Sequence, residues 1–192
     1  MKKTFFTLLI IASCSISSSY AQFKTYCEAE EWSKKTGTLI ETKIITIGKF
    51  TDELETEFDI WVTKCKDIIS DSVKSYLTVR RTLYNENKTR AKTDQNSIDA
   101  DETDRLIESI KYLQTKVFQT SPETDNIKYT FTSRTGIRLS CSWNKNNKSW
   151  ELTFFIPFET KDKTSKLLQF DMWLEKNLTD FQKLIEQAKE KM

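Results

Sequence analysis

The sequence predicts an α+β fold of antiparallel sheets and two amphipathic helices. Between residues 127 and 158, apolar and polar residues alternate with period two, as in strands that bury one face. Runs rich in β-branched residues alternate in the same way earlier in the chain. Two other segments repeat their apolar residues every three or four positions, which is typical of helices that cover a sheet.

The stretch 127–158 predicts three strands in a meander whose register can be read from its turns. Asn146-Asn147 is expected at the centre of the second turn, because asparagine tolerates the backbone angles of tight turns. That register places Trp143 opposite Trp150 and Cys141 opposite Leu152. A slip of one residue would turn the apolar face towards solvent, so the register is well specified.

Upstream, alternation predicts strands at residues 38–48, 58–63 and 75–84. Residues 85–97 are almost entirely polar and predict a solvated loop or a long hairpin tip. Residues 98–100 are expected to form a short fourth strand. An amphipathic helix is predicted at residues 102–118, where apolar residues recur at helical spacing.

Beyond the meander, residues 166–174 alternate and predict another strand, with Met172 and Leu174 on its apolar face. A capping-box pattern at Thr179 predicts the start of a closing helix. Each half of the domain, 38–118 and 127–190, would then read ββββα, which suggests an internal duplication. In element order alone, this arrangement resembles the whirly and PUR-type proteins that bind single-stranded nucleic acids.

The N-terminus has the pattern of an export signal. Lys2 and Lys3 precede a short apolar run and small residues that end at Ala21, so residues 1–21 are interpreted as a cleaved signal peptide. A lipoprotein signal, in which Cys14 is lipidated, is the second interpretation. Residues 22–37 form a lead-in segment anchored by Trp32, and residues 38–192 form a single domain. The mature protein would be periplasmic or secreted and would contain no transmembrane span.

Composition excludes several classes of chemistry. The chain has 30 basic and 28 acidic residues, which gives a formal net charge of +2. Removal of the signal peptide with Lys2 and Lys3 would lower this charge to zero. No nucleic-acid partner is therefore expected. It contains no histidine, the usual general base, and only three glycines, too few for a phosphate-cradling loop. The chain is therefore predicted to be neither an enzyme nor a cofactor protein.

Three features remain as candidate sites. Trp143 and Trp150 could form a platform for a sugar or another ring, although a cross-strand pair that closes the core explains them more simply. The acidic group at the start of the first helix could hold a hard cation, although helix capping explains it more simply; its members are Asp99, Asp101, Glu102 and Asp104. Arg80 and Arg81 begin a locally basic run that is either a solvated face or an anion patch.

The three cysteines of the mature chain leave the disulfide state open. Cys27, Cys65 and Cys141 form an odd number, which permits one disulfide with a spare thiol. The alternation that places Cys141 on an apolar face favours a buried thiol equally. No pair of cysteines has the spacing of a redox or zinc motif.

Four segments together resemble a group of small exported Bacteroidota proteins to which no activity is assigned. They are residues 46–50 (TIGKF), 107–114 (IESIKYLQ), 131–136 (FTSRTG) and 184–189 (LIEQAK). The resemblance implies the limits of the domain but no chemistry. The predicted function is therefore an exported interaction or accessory protein of the cell envelope with an unidentified protein or glycan partner. The alternatives are a glycan or small-ligand module and, by fold analogy, a single-stranded nucleic-acid binder.

Overall fold

The computed structural model of the chain describes residues 24–85, 87, 89–124, 127–157 and 171–192. Within these residues, eight strands form two antiparallel four-stranded sheets and three α-helices accompany them. The predicted α+β class and the antiparallel sheets are confirmed. The proposed signal peptide and Cys14 lie outside the described residues.

The first unit is a four-stranded meander followed by a helix. A short helix α1 (Glu28–Ser33) precedes strands β1 (Ile40–Thr51), β2 (Glu57–Asp67), β3 (Val73–Tyr84) and β4 (Arg90–Asp99), which pair in sequence order. Helix α2 (Ala100–Tyr112) follows directly and continues as a π-helical turn, Leu113–Val117.

The second unit repeats this order. Strands β5 (Lys128–Thr132), β6 (Arg138–Asn144), β7 (Ser149–Phe155) and β8 (Asp171–Trp173) pair in sequence order, and helix α3 (Glu175–Glu190) follows. The ββββα pattern therefore occurs twice, as the sequence suggested. The predicted register is also present, with Trp143 opposite Trp150 and Cys141 opposite Leu152.

Both units contribute to one core. An aromatic cluster joins Phe50 and Phe58 of the first sheet to Phe154 and Trp173 of the second, and Phe181 of α3 completes it. The buried apolar cluster of the described residues extends from Phe50 to Ala188. All described helices and strands, and this whole core, lie within residues 22–192.

Gly48 lets the second unit approach the first. Helix α3 packs on β1 and β2, and a Cβ built on Gly48 would lie 2.7 Å from Cδ2 of Leu184. The ladder between β1 and β2 also shifts register between Thr46 and Gly48, which is the mark of a β-bulge. A side chain at this position would push Leu184 away from the sheet.

The predicted loop at residues 85–97 is wrong over most of its length, and the short fourth strand predicted at residues 98–100 is the end of a longer strand. Strand β4 runs from Arg90 to Asp99 and pairs with β3 along nearly its whole length. Its sequence is mostly polar, although Ile98 near its end is fully buried. Its inward positions include Asp94 and Asn96, which bond to polar partners instead of packing.

Two predictions near the C-terminus also need correction. Residues 166–170 of the predicted strand 166–174 lie outside the described residues. In β8 the side chains of Asp171 and Trp173 are buried and that of Met172 is exposed. Leu174, which follows β8, is exposed as well. Helix α3 begins at Glu175, not at Thr179, and the Asn177 side chain accepts the backbone N–H of Leu174 at 2.8 Å.

The lead-in segment is anchored differently from the prediction. Cys27 and Ala29 are buried, whereas Trp32 is only half-buried. The Asp99 carboxylate accepts the backbone N–H groups of Glu28 and Ala29, both at 2.9 Å, and so caps α1 from a distant part of the chain. Among the helices of the described ranges, none is both long and apolar enough to cross a bilayer.

Candidate functional site

The predicted tryptophan pair lies within a longer row of aromatic rings. The ring centroids of Trp143 and Trp150 are 5.3 Å apart, those of Trp150 and Tyr129 are 5.8 Å apart, and those of Tyr129 and Tyr112 are 6.3 Å apart. Trp143 is only 8% exposed, and Trp150 donates its indole N–H to the Thr120 carbonyl at 3.0 Å. The two tyrosines are therefore the exposed rings of the row, whereas Trp150 is half-buried and Trp143 is buried.

The acidic group at the start of α2 surrounds a single arginine. Arg134, in the turn after β5, forms ion pairs with Asp99 at 3.2 Å, Asp101 at 2.5 Å and Glu102 at 3.2 Å. Asp104 pairs instead with Lys189 of α3. No cluster of potential metal ligands occurs in the part of the chain that the structure describes. The guanidinium group of Arg134 therefore provides the positive charge at the place where the sequence suggested a bound hard cation.

The pairs around Arg134 are part of the structure of the hairpin turn. Desolvation alone would lower the pKa of Arg134, but the bonds and charges of Glu102, Asp101 and Asp99 outweigh it and raise that pKa. The backbone N–H of Arg134 also donates to Glu102 at 2.7 Å. The turn after β5 is thereby fixed against the N-terminus of α2.

A second charged cluster, which the sequence analysis missed, is buried between the two units. Arg81 is fully buried and donates to Asp94 at 2.5 Å and to Asp171 at 2.7 Å. Lys92 lies 3.4 Å from the same Asp94 oxygen. The predicted solvated basic face or anion patch is therefore wrong for Arg81, whose charge is used inside the protein. The cluster ties β3 and β4 to β8.

The buried carboxyl of Asp171 should make stability depend on pH. Burial raises the pKa of Asp171 to about 6. The negative charges of Asp52 and Asp94 act in the same direction, and the positive charge of Arg81 acts against them. The contribution of Asp171 to stability is therefore full below about pH 4 and is lost as the pH rises towards about 6. We expect the free energy of unfolding of Asp171→Asn, relative to that of the wild type, to rise by about 2–3 kcal/mol between pH 4 and pH 7.

Urea unfolding at both pH values measures this difference, provided that unfolding is reversible. The exposed Asp104→Asn, which also removes one carboxylate, serves as the control. Parallel pH profiles for the wild type and Asp171→Asn would contradict the prediction.

A concave surface with an apolar lining lies between α2 and the edge strand β5. This feature, here called the α2–β5 groove, encloses about 440 Å³. The strand side presents Tyr129, Thr130 and Phe131, with Leu139 below them. The helix side is formed by one face of α2 and its π-helical continuation, where the lining residues recur at helical spacing. These residues are Arg105, Glu108, Ser109, Tyr112 and Leu113. Its floor is apolar and its rim is charged.

Strand β5 presents unused backbone groups to this groove. The backbone bonds Trp143 N–H to Ile127 O and Ser133 N–H to Ile137 O show that odd-numbered residues of β5 bond towards β6. The N–H and C=O groups of Lys128, Thr130 and Thr132 therefore point away from β6. None of the described residues pairs with them, and no strand lies beyond β5 in its sheet.

The groove has two defined ends and a size that suits a short extended chain. The Tyr112 and Tyr129 rings approach each other at one end, and the Arg134 ion pairs stand at the other. Five residues of β5 span about 17 Å at the usual rise of a strand, so the groove matches about five residues of an added strand. The π-helical turn that starts at Leu113 widens the helix beside one end.

The three cysteines that the structure describes offer no reactive thiol to any surface. Cys27, Cys65 and Cys141 are all buried and all free. Burial raises the pKa of Cys141 to about 12, and burial also raises the pKa of Cys27. The three thiols act as packing residues, which resolves the alternatives that the sequence left open in favour of buried thiols.

The groove combines residues that no local pattern connects. The sequence placed Tyr129 and Phe131 on one face of a strand and Leu113 on the apolar side of a helix, but gave no reason to bring the two faces together. The signal that could have found the groove is the position of β5 as the first strand of its unit, because the first strand of a meander lies at an edge.

Comparison with known proteins adds no identity. The chain matches no family model. A search of the curated proteins also finds no match.

Proposed function

We propose that this chain is a non-enzymatic binding protein that holds an extended segment of a partner polypeptide in the α2–β5 groove. The observation that carries the proposal is the open edge of β5, whose outward N–H and C=O groups border an apolar floor. A peptide that adds a strand to such an edge gains main-chain hydrogen bonds, and every second side chain of the peptide enters the groove. This is an interaction role of the kind expected from the absence of histidine and glycine-rich motifs.

The shape of the groove supports an extended peptide over a compact ligand. It is bounded by a strand on one side and a helix on the other, and its floor is formed by side chains such as Phe131 and Leu139. Arg105 and Glu108 stand on the helix rim and form no ion pair with the described residues. They would select among peptides by charge, whereas the main chain of β5 would supply affinity for all of them.

Proline at Thr130 tests strand addition directly. The Thr130 N–H points away from β6, so Thr130→Pro should remove a donor from the groove while the β5–β6 ladder stays intact. A random ten-residue peptide display library, selected on residues 22–192, supplies the probe. We expect selected peptides to bind Thr130→Pro at least 10-fold more weakly than the wild type, measured by titration calorimetry.

Thr130→Val is the matched control, because it loses the same hydroxyl, which lies 3.2 Å from that of Ser140, but keeps the N–H. Its affinity should stay within about threefold of the wild type. Equal affinities for the proline and valine variants would overturn the proposal. So would a library selection that enriches no peptide.

A ring-bearing ligand is the second candidate, favoured by the exposed rings of Tyr112 and Tyr129. Stacking on aromatic rings serves both sugars and bases. Retention on a glycan array that is lost in Tyr129→Ala but kept in Thr130→Pro would favour this candidate over strand addition.

The nucleic-acid alternative has less support. The repeated ββββα order strengthens the resemblance to whirly and PUR-type proteins in fold only, and fold does not imply function. The zero net charge expected after signal removal offers no general attraction for phosphates.

A further inference from the structure

One end of the first sheet carries four exposed aliphatic side chains, here called the aliphatic tip. Ile68 and Ile69 lie in the turn between β2 and β3, Val73 begins β3 and Leu39 precedes β1. The Ile68 N–H donates to the Leu39 carbonyl at 2.9 Å, which joins the two segments. Ile69 is 78% exposed, and Leu39 and Val73 are each more than half exposed.

The turn that presents these side chains is firmly built. The Asp67 N–H donates to the Ser72 carbonyl at 2.9 Å, and the Asp67 carboxylate accepts the N–H groups of Ile69 at 2.9 Å and Ser70 at 3.2 Å. Asp71 takes a positive φ of 58° to close the turn. The isoleucines are therefore held out to solvent by the backbone geometry, not left exposed for want of structure.

The available charge around the tip is mainly positive. Asp71 is paired with Lys66 at 2.5 Å, and Asp67 is occupied by the turn. Lys43 and Lys64 face each other across β1 and β2, and Lys74 lies beside Val73. None of these three lysines forms an ion pair with the described residues. Glu41, near Lys66, forms no ion pair with the described residues. Glu28 and Asp101 line a depression together with Val73 and Lys74, but both are paired with Arg134.

We propose that the aliphatic tip docks on an anionic lipid surface, with its four apolar side chains at the edge of the hydrocarbon layer and the lysines near the headgroup phosphates. Long lysine side chains can lie along a membrane surface while their charges stay in the headgroup region. Exposed aliphatic residues alone support only marginal, reversible binding, so the lysines supply the second attraction that stable docking needs.

A lipid surface fits the tip better than a protein partner does. A stable protein interface covers about 800 Å² per partner and is rich in tyrosine, tryptophan and arginine. The tip offers four aliphatic side chains and lysines, and lysine is depleted at protein interfaces. The opposite end of the β1–β2 hairpin provides a comparison, because Leu54 is 72% exposed there as a single aliphatic residue.

The test is cosedimentation of residues 22–192, which lack Cys14 and the signal, with vesicles of phosphatidylcholine alone or with 30% phosphatidylglycerol. We expect binding to the anionic vesicles at 50 mM NaCl and weaker binding at 500 mM. Ile69→Asp should lower the partition coefficient at least 10-fold. Replacing Lys43, Lys64 and Lys74 together with glutamine should lower it at least fivefold.

Leu54→Asp is the matched control and should leave binding within twofold of the wild type. All of these changes are at exposed positions except the one at Lys64, which is half-buried, and unchanged thermal melting would confirm that the variants are folded. The proposal is overturned if the wild type does not partition onto anionic vesicles, or if Ile69→Asp binds them as well as Leu54→Asp does. It is also overturned if the tip instead forms a protein contact, seen as concentration-dependent dimers without lipid that Ile69→Asp abolishes.

Discussion

Arg81→Met should lower the free energy of unfolding by about 3–5 kcal/mol. The substitution removes the one guanidinium that bonds both Asp94 and Asp171, and both carboxylates then remain buried with much of their compensating charge lost. A domain of this size is stable by only about 5–15 kcal/mol, so the loss is a large fraction of the total. Chemical denaturation at pH 7 with residues 22–192 measures the effect.

The neighbouring Arg80 supplies the control. It is about a third exposed and pairs with Asp59 at 3.0 Å on the outer face of the sheet, so Arg80→Met should cost no more than about 1 kcal/mol. Adding Asp94→Asn and Asp171→Asn to Arg81→Met should recover much of the lost stability, because the unpaired charges are gone. Equal losses for Arg80→Met and Arg81→Met would show that the buried cluster does not hold the units together.

The second large effect is expected at the aromatic cluster between the two sheets. Phe154→Ala should cost about 3–5 kcal/mol, because Phe154 is fully buried and a cavity would remain. Its ring stacks on Trp173 at 4.3 Å and meets the edge of Phe58, at 5.9 Å, from the other unit. The same denaturation experiment measures this loss.

Two variants separate the cavity from the general loss of an aromatic residue. Phe154→Leu keeps most of the volume and should cost less than about 2 kcal/mol. Tyr112→Ala removes an aromatic ring that is 54% exposed and should cost less than about 1 kcal/mol. If Phe154→Ala lost no more stability than Tyr112→Ala, the two sheets would not share a cooperative core.

The meander could be predicted in detail because its own residues determine it. Alternation selected one face, and the turn at Asn146-Asn147 fixed which residues lie opposite, so Trp143 and Trp150 could be paired correctly. These are interactions between neighbours in the chain, which a local pattern can specify.

Strands β4 and β8 show where local pattern fails. Period two shows which residues share a face but does not show which face is buried. In β8 Met172 lies outside and Asp171 lies inside, because Arg81, ninety positions earlier in the chain, supplies the partner of Asp171. In β4 the same arginine accounts for the burial of Asp94. In the sequence, a buried charged residue whose partner lies on another element cannot be distinguished from a solvent-exposed charged residue.

By itself the sequence determined the α+β class, the repeated ββββα order and the register of the meander, because these depend on side-chain periodicity and turn chemistry within short segments. The tertiary structure alone decided that Arg81 is a buried link, that Arg134 occupies the acidic group, and that β5 lies open beside α2. The physical reason is that burial of charge and exposure of a strand edge depend on what packs against a residue, and those neighbours lie far away in the chain.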